Sequence, residues 1–352
     1  MIASYKKQEL QFKHPAGTSR GIYNSRTVWY LFLHENGKTG IGECAPLPGL
    51  SPESPEKIEL VLKEICTAPE KFIRQTDLLK TFSSVRFGLE TARLDLQNGG
   101  QQKLFASSFT SGEQGIPING LVWMGNAAYM QKQIREKLDS GYRCIKLKIG
   151  AIDFEKELEL LRGIRDEFCA DAIVLRIDAN GAFKTEEVLE KLNRLADLDI
   201  HSIEQPIAAG NRDKMAQLCD ETPIPVALDE ELTGISEREE KERLLDRIRP
   251  QYLVLKPSLH GGLSGCEEWI ELAQQRSIGW WITSYLESNI GLNAIAQWTS
   301  THQVTMHQGL GTGLLFTNNI ESPLEIRGEE LWFDPVKKFK FPGSQGYQEW
   351  NL

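Results

Sequence analysis

The feature that most constrains this chain begins near residue 116, where short apolar runs start to alternate with amphipathic stretches and go on doing so to residue 308. The runs are Ile116 to Val122, Cys144 to Ile149, Ile173 to Asn180, Ser202 to Pro206, Pro225 to Asp229, Tyr252 to Lys256, Gly279 to Thr283 and Val304 to Gln308. They recur at roughly the ~30-residue size of one strand-helix unit. A strand covered on both faces reads as a nearly continuous apolar run, and strands that alternate with helices form parallel sheets. Eight of them predict a closed (β/α) barrel; an open doubly wound sheet is the other arrangement that fits. The stretch from Lys184 to Leu195 shows the intervening helices well, with Val188, Leu189, Leu192 and Leu195 on one face.

Residues 1–115 have a different rhythm. Period-two segments at Tyr5 to Lys13, Thr27 to Leu33 and Thr39 to Cys44 lead through Pro46-Leu47-Pro48-Gly49-Leu50-Ser51-Pro52 into helical patterns at Ser54 to Cys66 and Ser84 to Asn98. Strands followed by helices predict a separate α+β domain. The boundary is expected at 115/116, with the barrel running to 320. Residues 321–352, which carry Trp332, Phe333, Phe339 and Phe341, are expected to pack back on the first domain.

Composition narrows the function. The net charge of −9 disfavours nucleic acid and anionic membrane as partners, since both select a basic face. No apolar run approaches the ~18 residues of a membrane span. The first residues lack the apolar core of a secretory leader, so a cytoplasmic location is expected. The six cysteines are scattered, without a CxxC pair, and are read as reduced core residues. Nothing in the sequence signals an oligomeric state.

Three of the barrel runs end in an acid: Asp178 in Leu175-Arg176-Ile177-Asp178-Ala179-Asn180, Glu204 in Ile203-Glu204-Gln205-Pro206, and Asp229 in Val226-Ala227-Leu228-Asp229-Glu230. One carboxylate at a strand end is ordinarily a helix cap or a solvated loop residue. Three at matching depth on consecutive strands would converge at the barrel mouth and repel unless a cation lay among them. Hard oxygen ligands of this kind select Mg²⁺. Lys146 and Lys148, two apart on the second strand, share one face, and Lys256 ends the sixth strand. Charges on a strand covered on both sides need a reason. Together the six residues suit removal of a proton beside a carboxylate, where the metal stabilises the charge and a neutral lysine is the base. A second cation ~4 Å from that base is worth about 4 kcal/mol at an effective dielectric near 20, enough to lower a lysine pKa by roughly three units.

The ordered set Lys-x-Lys, Asp-Ala-Asn, Glu-Gln-Pro, Asp-Glu and Lys-Pro-Ser resembles the enolase superfamily, its muconate-lactonizing subgroup and, within that, the o-succinylbenzoate synthase family. The resemblance covers essentially the whole chain. It implies a modified TIM (β/α)7β barrel under an α+β capping domain, and Mg²⁺, or Mn²⁺ in its place, held by Asp178, Glu204 and Asp229. It also implies a small carboxylate substrate between Lys148 and Lys256, with Lys146 alongside. The implied reaction is dehydration of 2-succinyl-6-hydroxy-2,4-cyclohexadiene-1-carboxylate to o-succinylbenzoate on the way to menaquinone. Lys148 would take the proton and return it to the departing hydroxyl, and Lys256 would stabilise the intermediate. Implied substrate contacts are Asn180, Ser284, Gly311 and Thr312, with Thr18, Ser19 and Arg20 on a loop of the capping domain. Gly309 to Phe316 resembles a loop whose amides meet the succinyl carboxylate. Glu231 departs from the pattern, since many relatives place a serine there.

Three other readings use overlapping residues. N-succinylamino acid racemisation needs the same two lysines acting on opposite faces. Dipeptide epimerases of the subgroup carry Asp-x-Asp on the last strand, where this chain has Met306-His307-Gln308. A barrel that merely binds carboxylates would be expected to lack one of the ligands or lysines, and none is missing.

Overall fold

The computed structural model describes residues 1–18 and 21–341; Ser19, Arg20 and residues 342–352 lie outside the described residues. The chain opens with an antiparallel sheet, β1 (Ile2–Thr18), β2 (Gly21–Glu35) and β3 (Lys38–Cys44), in the order β1-β2-β3. Alternation along β2 sends Trp29, Leu31 and Leu33 to one face and Val28, Tyr30 and Phe32 to the other, and both faces are covered. The first face packs on α1 (Pro55–Thr67), α2 (Pro69–Arg74) and α3 (Ser83–Gln97) through Ile58, Leu62, Phe72, Leu89 and Ala92. Ser54 caps α1 by accepting from Lys57 N–H, and Pro55 occupies the first turn, where no amide partner is needed. The second face meets Ile290, Phe316 and Ile320 from the far half of the chain.

That half is the expected modified (β/α)7β TIM barrel. Seven parallel strands follow, β5 (Gly120–Val122), β6 (Cys144–Lys148), β7 (Val174–Asp178), β8 (Ile200–Glu204), β9 (Val226–Leu228), β10 (Tyr252–Leu255) and β11 (Gly279–Ile282). They lie side by side in chain order, as right-handed strand-helix units dictate. The helices between them are α4 (Ala127–Asp139), α5 (Phe154–Glu167), α6 (Val188–Ala196), α7 (Arg212–Glu221), α8 (Arg238–Ile248) and α9 (Gly262–Gln275). A last helix, α10 (Asn289–Thr299), is buried along its whole length between barrel and cap.

Two of the eight expected strands are shorter than the apolar pattern. Val304 to Gln308 forms no continuous strand: Gln308 bridges Ile118, and Gly309 bridges Thr283, each as a single parallel pair. The Gln308 carboxamide replaces part of the ladder, accepting from Ile282 N–H at 2.7 Å and donating to Met306 O at 2.6 Å. These contacts close the barrel between β11 and β5. At the other run, Ile116–Pro117 (β4) pairs antiparallel with β13 (Glu330–Phe333), which in turn pairs with β12 (Leu324–Arg327). The returning segment therefore divides. Phe333 packs with Phe109 and Ile116 in the barrel core, whereas Phe339 and Phe341 join the cap-facing cluster of Leu10, Phe12 and Phe32.

Candidate active site

The pleat and register of the barrel strands bring the singled-out residues together. Lys148, Asp178 and Glu204 are paired neighbours across β6, β7 and β8. Asp229 follows β9, and Lys256 follows β10. All five line one cavity of 490 Å³, which Lys146, Asn180, Glu230, Ser284, Gly311 and Thr312 also border.

The carboxylates are buried and charge-balanced by the lysines. Lys146 Nζ lies 2.6 Å from Glu204 Oε2 and 3.0 Å from Asp178 Oδ2. Lys148 Nζ reaches the same Asp178 oxygen at 3.3 Å and donates to Asn180 Oδ1 at 2.6 Å. Lys256 pairs with Asp229. Burial opposes the charge on Asp178, but Lys146 and Lys148 outweigh it and hold the carboxyl well below the usual range. Glu204 goes the other way, pushed up to about 8 by burial and then by Asp178. Lys146, the cation expected to act on the base, is itself held charged. Burial would lower it, yet Asp178 and Glu204 raise it above the ordinary lysine range, because a shared carboxylate stands between the two ammonium groups. Asp229 and Glu230 do the same for Lys256.

Among the described residues, no three His, Cys, Asp or Glu side chains grip an ion-sized space unaided. The ammonium groups stand between them and relieve the repulsion that the sequence pattern raises. The donor set nevertheless fits a hard divalent cation. Three buried carboxylates face one cavity, Asp229 Oδ1 is buried without a hydrogen-bond donor among the described residues, and Glu204 still disfavours its charged form. A further positive charge would satisfy both.

Two of the left-handed non-glycine residues lie at the same place. Asn180, two residues after Asp178, and Gln205, directly after Glu204, sit at φ +44° and +39°, a region that non-glycine residues seldom occupy. Gln205 justifies its position by accepting from the N–H groups of Asp229 and Glu231, both at 3.2 Å, which aims the turn after β9. Glu231, the departure from the family pattern, points away and accepts from Gly210 N–H. Ser284 and Thr312 share a hydrogen bond of 2.6 Å. Ser288 caps α10 through Ile290 N–H and also meets Glu43 of the cap. Thr18 closes β1 opposite Gly21; Ser19 and Arg20 lie outside the described residues.

Residues the motifs did not mark complete the roof. Arg26 of β2 is buried and donates to Ala45 O and Pro46 O on one side and to Tyr285 O and Leu286 O on the other. It thereby ties the proline-rich loop, which lends Leu47 and Leu50 to the cavity wall, to the turn after β11. The proline-rich composition was the available signal, but an arginine within an alternating strand carries none.

Comparison with known proteins places this arrangement. Residues 129–332 match the family model described as enolase C-terminal domain-like, and residues 19–96 match that of the MenC N-terminal domain. The o-succinylbenzoate synthase of Desulfotalea psychrophila is 47% identical over 93% of this chain and 98% of its own. The chain belongs to the o-succinylbenzoate synthase family of the enolase superfamily. The crystal structure of MenC from Desulfotalea psychrophila superimposes with a TM-score of 0.85 at 43% identity, covering 94% of this chain and 99% of that one. An N-succinylamino acid racemase from Thermus thermophilus is more distant, 27% identical over 80% of this chain and 78% of its own. Enzymes of the superfamily depend on a divalent metal. Among the described residues, no helix is long and apolar enough to cross a membrane.

Proposed function

We propose that this enzyme is an o-succinylbenzoate synthase, a hydro-lyase that dehydrates 2-succinyl-6-hydroxy-2,4-cyclohexadiene-1-carboxylate to o-succinylbenzoate in menaquinone biosynthesis. The observation that carries the reading is the shared cavity in which Lys148 and Lys256, from strands separated by three others, face each other across Asp178, Glu204 and Asp229. The 47% identity to a synthase over nearly the whole chain supports the same conclusion.

Asp178, Glu204 and Asp229 would hold Mg²⁺, or Mn²⁺ in its place. When bound, the metal neutralises the negative charge that builds on the substrate carboxylate as the adjacent proton leaves. Lys148 Nζ takes that proton, breaking the C–H bond, and then gives it to the departing hydroxyl, which leaves as water. Asn180 holds Lys148 in place through the 2.6 Å hydrogen bond. Lys256 stays protonated beside Asp229 and offers its charge to the opposite face of the ring. The step that follows proton removal creates an aromatic ring and is strongly downhill, so the first transfer sets the barrier. The cap, residues 1–115, would exclude water from the mouth, with Thr18, Ser19 and Arg20 as its expected contacts to substrate. Ser284, Gly311 and Thr312 contact substrate from the barrel.

Spectrophotometric turnover of the cyclohexadiene by Lys148→Ala tests the assignment. The variant is expected to keep its fold and metal affinity and to lose about a hundredfold to ten-thousandfold in kcat, as removal of a positioned base commonly does. Near-normal turnover would remove Lys148 from the role. Racemisation of N-succinyl amino acids would use both lysines as bases. It is followed separately by α-proton exchange in deuterated water, which Lys256→Ala would abolish on one face only.

A further inference from the structure

The strand ladders do not by themselves hold Asp229 in place. The pairing of β8 with β9 ends at Glu204 and Ala227, and that of β9 with β10 ends at Leu228 and Leu253. Asp229 lies beyond both, at φ −125° and ψ −81°, where the chain turns into a short 3-10 helix (Glu230–Leu232). Its carboxylate can face Asp178 and Glu204 only if another group fixes that turn. Asp178 and Glu204 are themselves the last residues of β7 and β8, so the chain after each needs fixing as well.

One residue reaches all three strand ends. Gln205 follows Glu204 and is wholly buried. Its N–H donates to Ala227 O at 2.9 Å, and its carbonyl accepts from the N–H of Gly181, three residues past Asp178, at 2.7 Å. Its side chain serves the third end: Oε1 accepts from the Asp229 and Glu231 N–H groups, and Nε2 donates to Ile207 O at 3.0 Å. Both lone pairs of Oε1 are then in use. At φ +39° the carbonyl meets the turn after β7 while the carboxamide meets the turn after β9. A glutamine kept only to fill the interior would need neither that costly backbone nor a bond to each neighbour. Gln205 does not border the cavity, so it acts through the residues it holds.

We propose that Gln205 is a positioning residue that sets the spacing of Asp178, Glu204 and Asp229 and so selects a small divalent ion over a larger one. This rests on the assignment of those three carboxylates to the metal. Mg²⁺ demands near-ideal octahedral geometry and short bonds, whereas Ca²⁺ accepts longer bonds in flexible arrangements. Rigid spacing favours the first ion, and a loosened Asp229 costs it more than the second.

The experiment is Mn²⁺ binding to the purified enzyme, read by electron paramagnetic resonance, with Mg²⁺ and Ca²⁺ as competitors. Mg²⁺ should displace Mn²⁺ from wild type at a lower concentration than Ca²⁺ does. Gln205→Asn tolerates the left-handed backbone but is one methylene too short to reach the Asp229 turn. It should weaken Mg²⁺ about tenfold or more, as loss of a group that orients a metal ligand commonly does, and change Ca²⁺ by less than about threefold. Gln205→Gly adopts the same backbone without strain and keeps the carbonyl bond to Gly181. It should shift the ratio the same way, and it serves if the asparagine variant does not fold. A merely structural Gln205 would lower the melting temperature and weaken both ions equally, and that unchanged ratio would overturn the proposal. A wild type that binds Mn²⁺ without preferring Mg²⁺ to Ca²⁺ overturns it too. If wild type bound no Mn²⁺, the metal assignment itself would fall, and the proposal with it.

Discussion

Asp178 and Glu204 are neighbours in register, yet their environments push their carboxyl groups apart, which shows how position rather than residue type sets charge in this protein. Glu53 shows the same physics away from the site. Its Oε1 accepts from Ser84 N–H at 2.8 Å, and its Oε2 is buried with no partner among the described residues. Burial, only partly offset by Ser84, pushes its carboxyl up to about 7 from 4.5. The folded state thus prefers neutral Glu53. Its contribution to stability is complete below pH 4.5 and is lost as pH rises through about 7. Glu53→Gln keeps the acceptor for Ser84 and cannot ionise. Its unfolding free energy should match wild type near pH 4.5 and exceed it by about 1–3 kcal/mol at pH 8, read from urea midpoints at both values. A constant difference across that range would show that Glu53 does not titrate in it. This carboxylate, like Arg26, was not legible in the sequence, because a polar residue's burial depends on what the rest of the chain places over it. Asp178, Glu204, Asp229, Lys148 and Lys256 were legible because each ends an apolar run, where a charge is conspicuous.

The elements were readable in proportion to how much of their own pattern they carry. The strands β1 to β3 show alternation, and β6 to β11 show continuous apolar runs, so the hydrophobic period alone identifies them. The eighth barrel run fails because Gln308 bonds through its side chain, which no period records, and Ile116–Pro117 is diverted to β13 by a pairing distant in sequence. Close approach between elements is equally hidden. A Cβ on Gly42 of β3 would lie 1.9 Å from Gly88 O of α3, and one on Gly40 would lie 2.1 Å from Ala92 O. Neither glycine has a positive φ, so the helix and strand need them for contact rather than for a turn. Because backbone meets backbone, α3 can yield only by moving bodily. Gly42→Ala should destabilise the enzyme by about 2–3 kcal/mol, measured as a fall in urea midpoint with an unchanged m-value. A shift below a few tenths of a kcal/mol would mean that α3 is free to slide on β3.

At the scale of the whole molecule, the cap and the barrel are locked by buried polar contacts that do not involve the metal. Glu43 of β3 accepts from Ser288 and Gly291 N–H at the start of α10, each at 2.8 Å, and Glu90 of α3 accepts from Leu263 N–H at 2.7 Å at the start of α9. Carboxylates placed on two helix N-termini complement the local dipole and satisfy amides that have no partner within the helix. Within the barrel, Lys146 and Lys256 already balance the carboxylate cluster. Architecture and chemistry are therefore separable: on the proposed function the metal serves turnover, and the fold is expected to stand without it. Chelation with EDTA should abolish dehydration and leave the far-ultraviolet circular dichroism unchanged, and Mg²⁺ should restore activity. Binding then adds only RT ln(1 + [L]/Kd), about 2.7 kcal/mol at a hundredfold excess over Kd. For a protein of this size that corresponds to a Tm rise of about 3–4 °C. Unfolding on chelation would mean that the ammonium groups do not hold the cluster together without the ion. Turnover that survived exhaustive chelation would detach the three carboxylates from metal binding altogether.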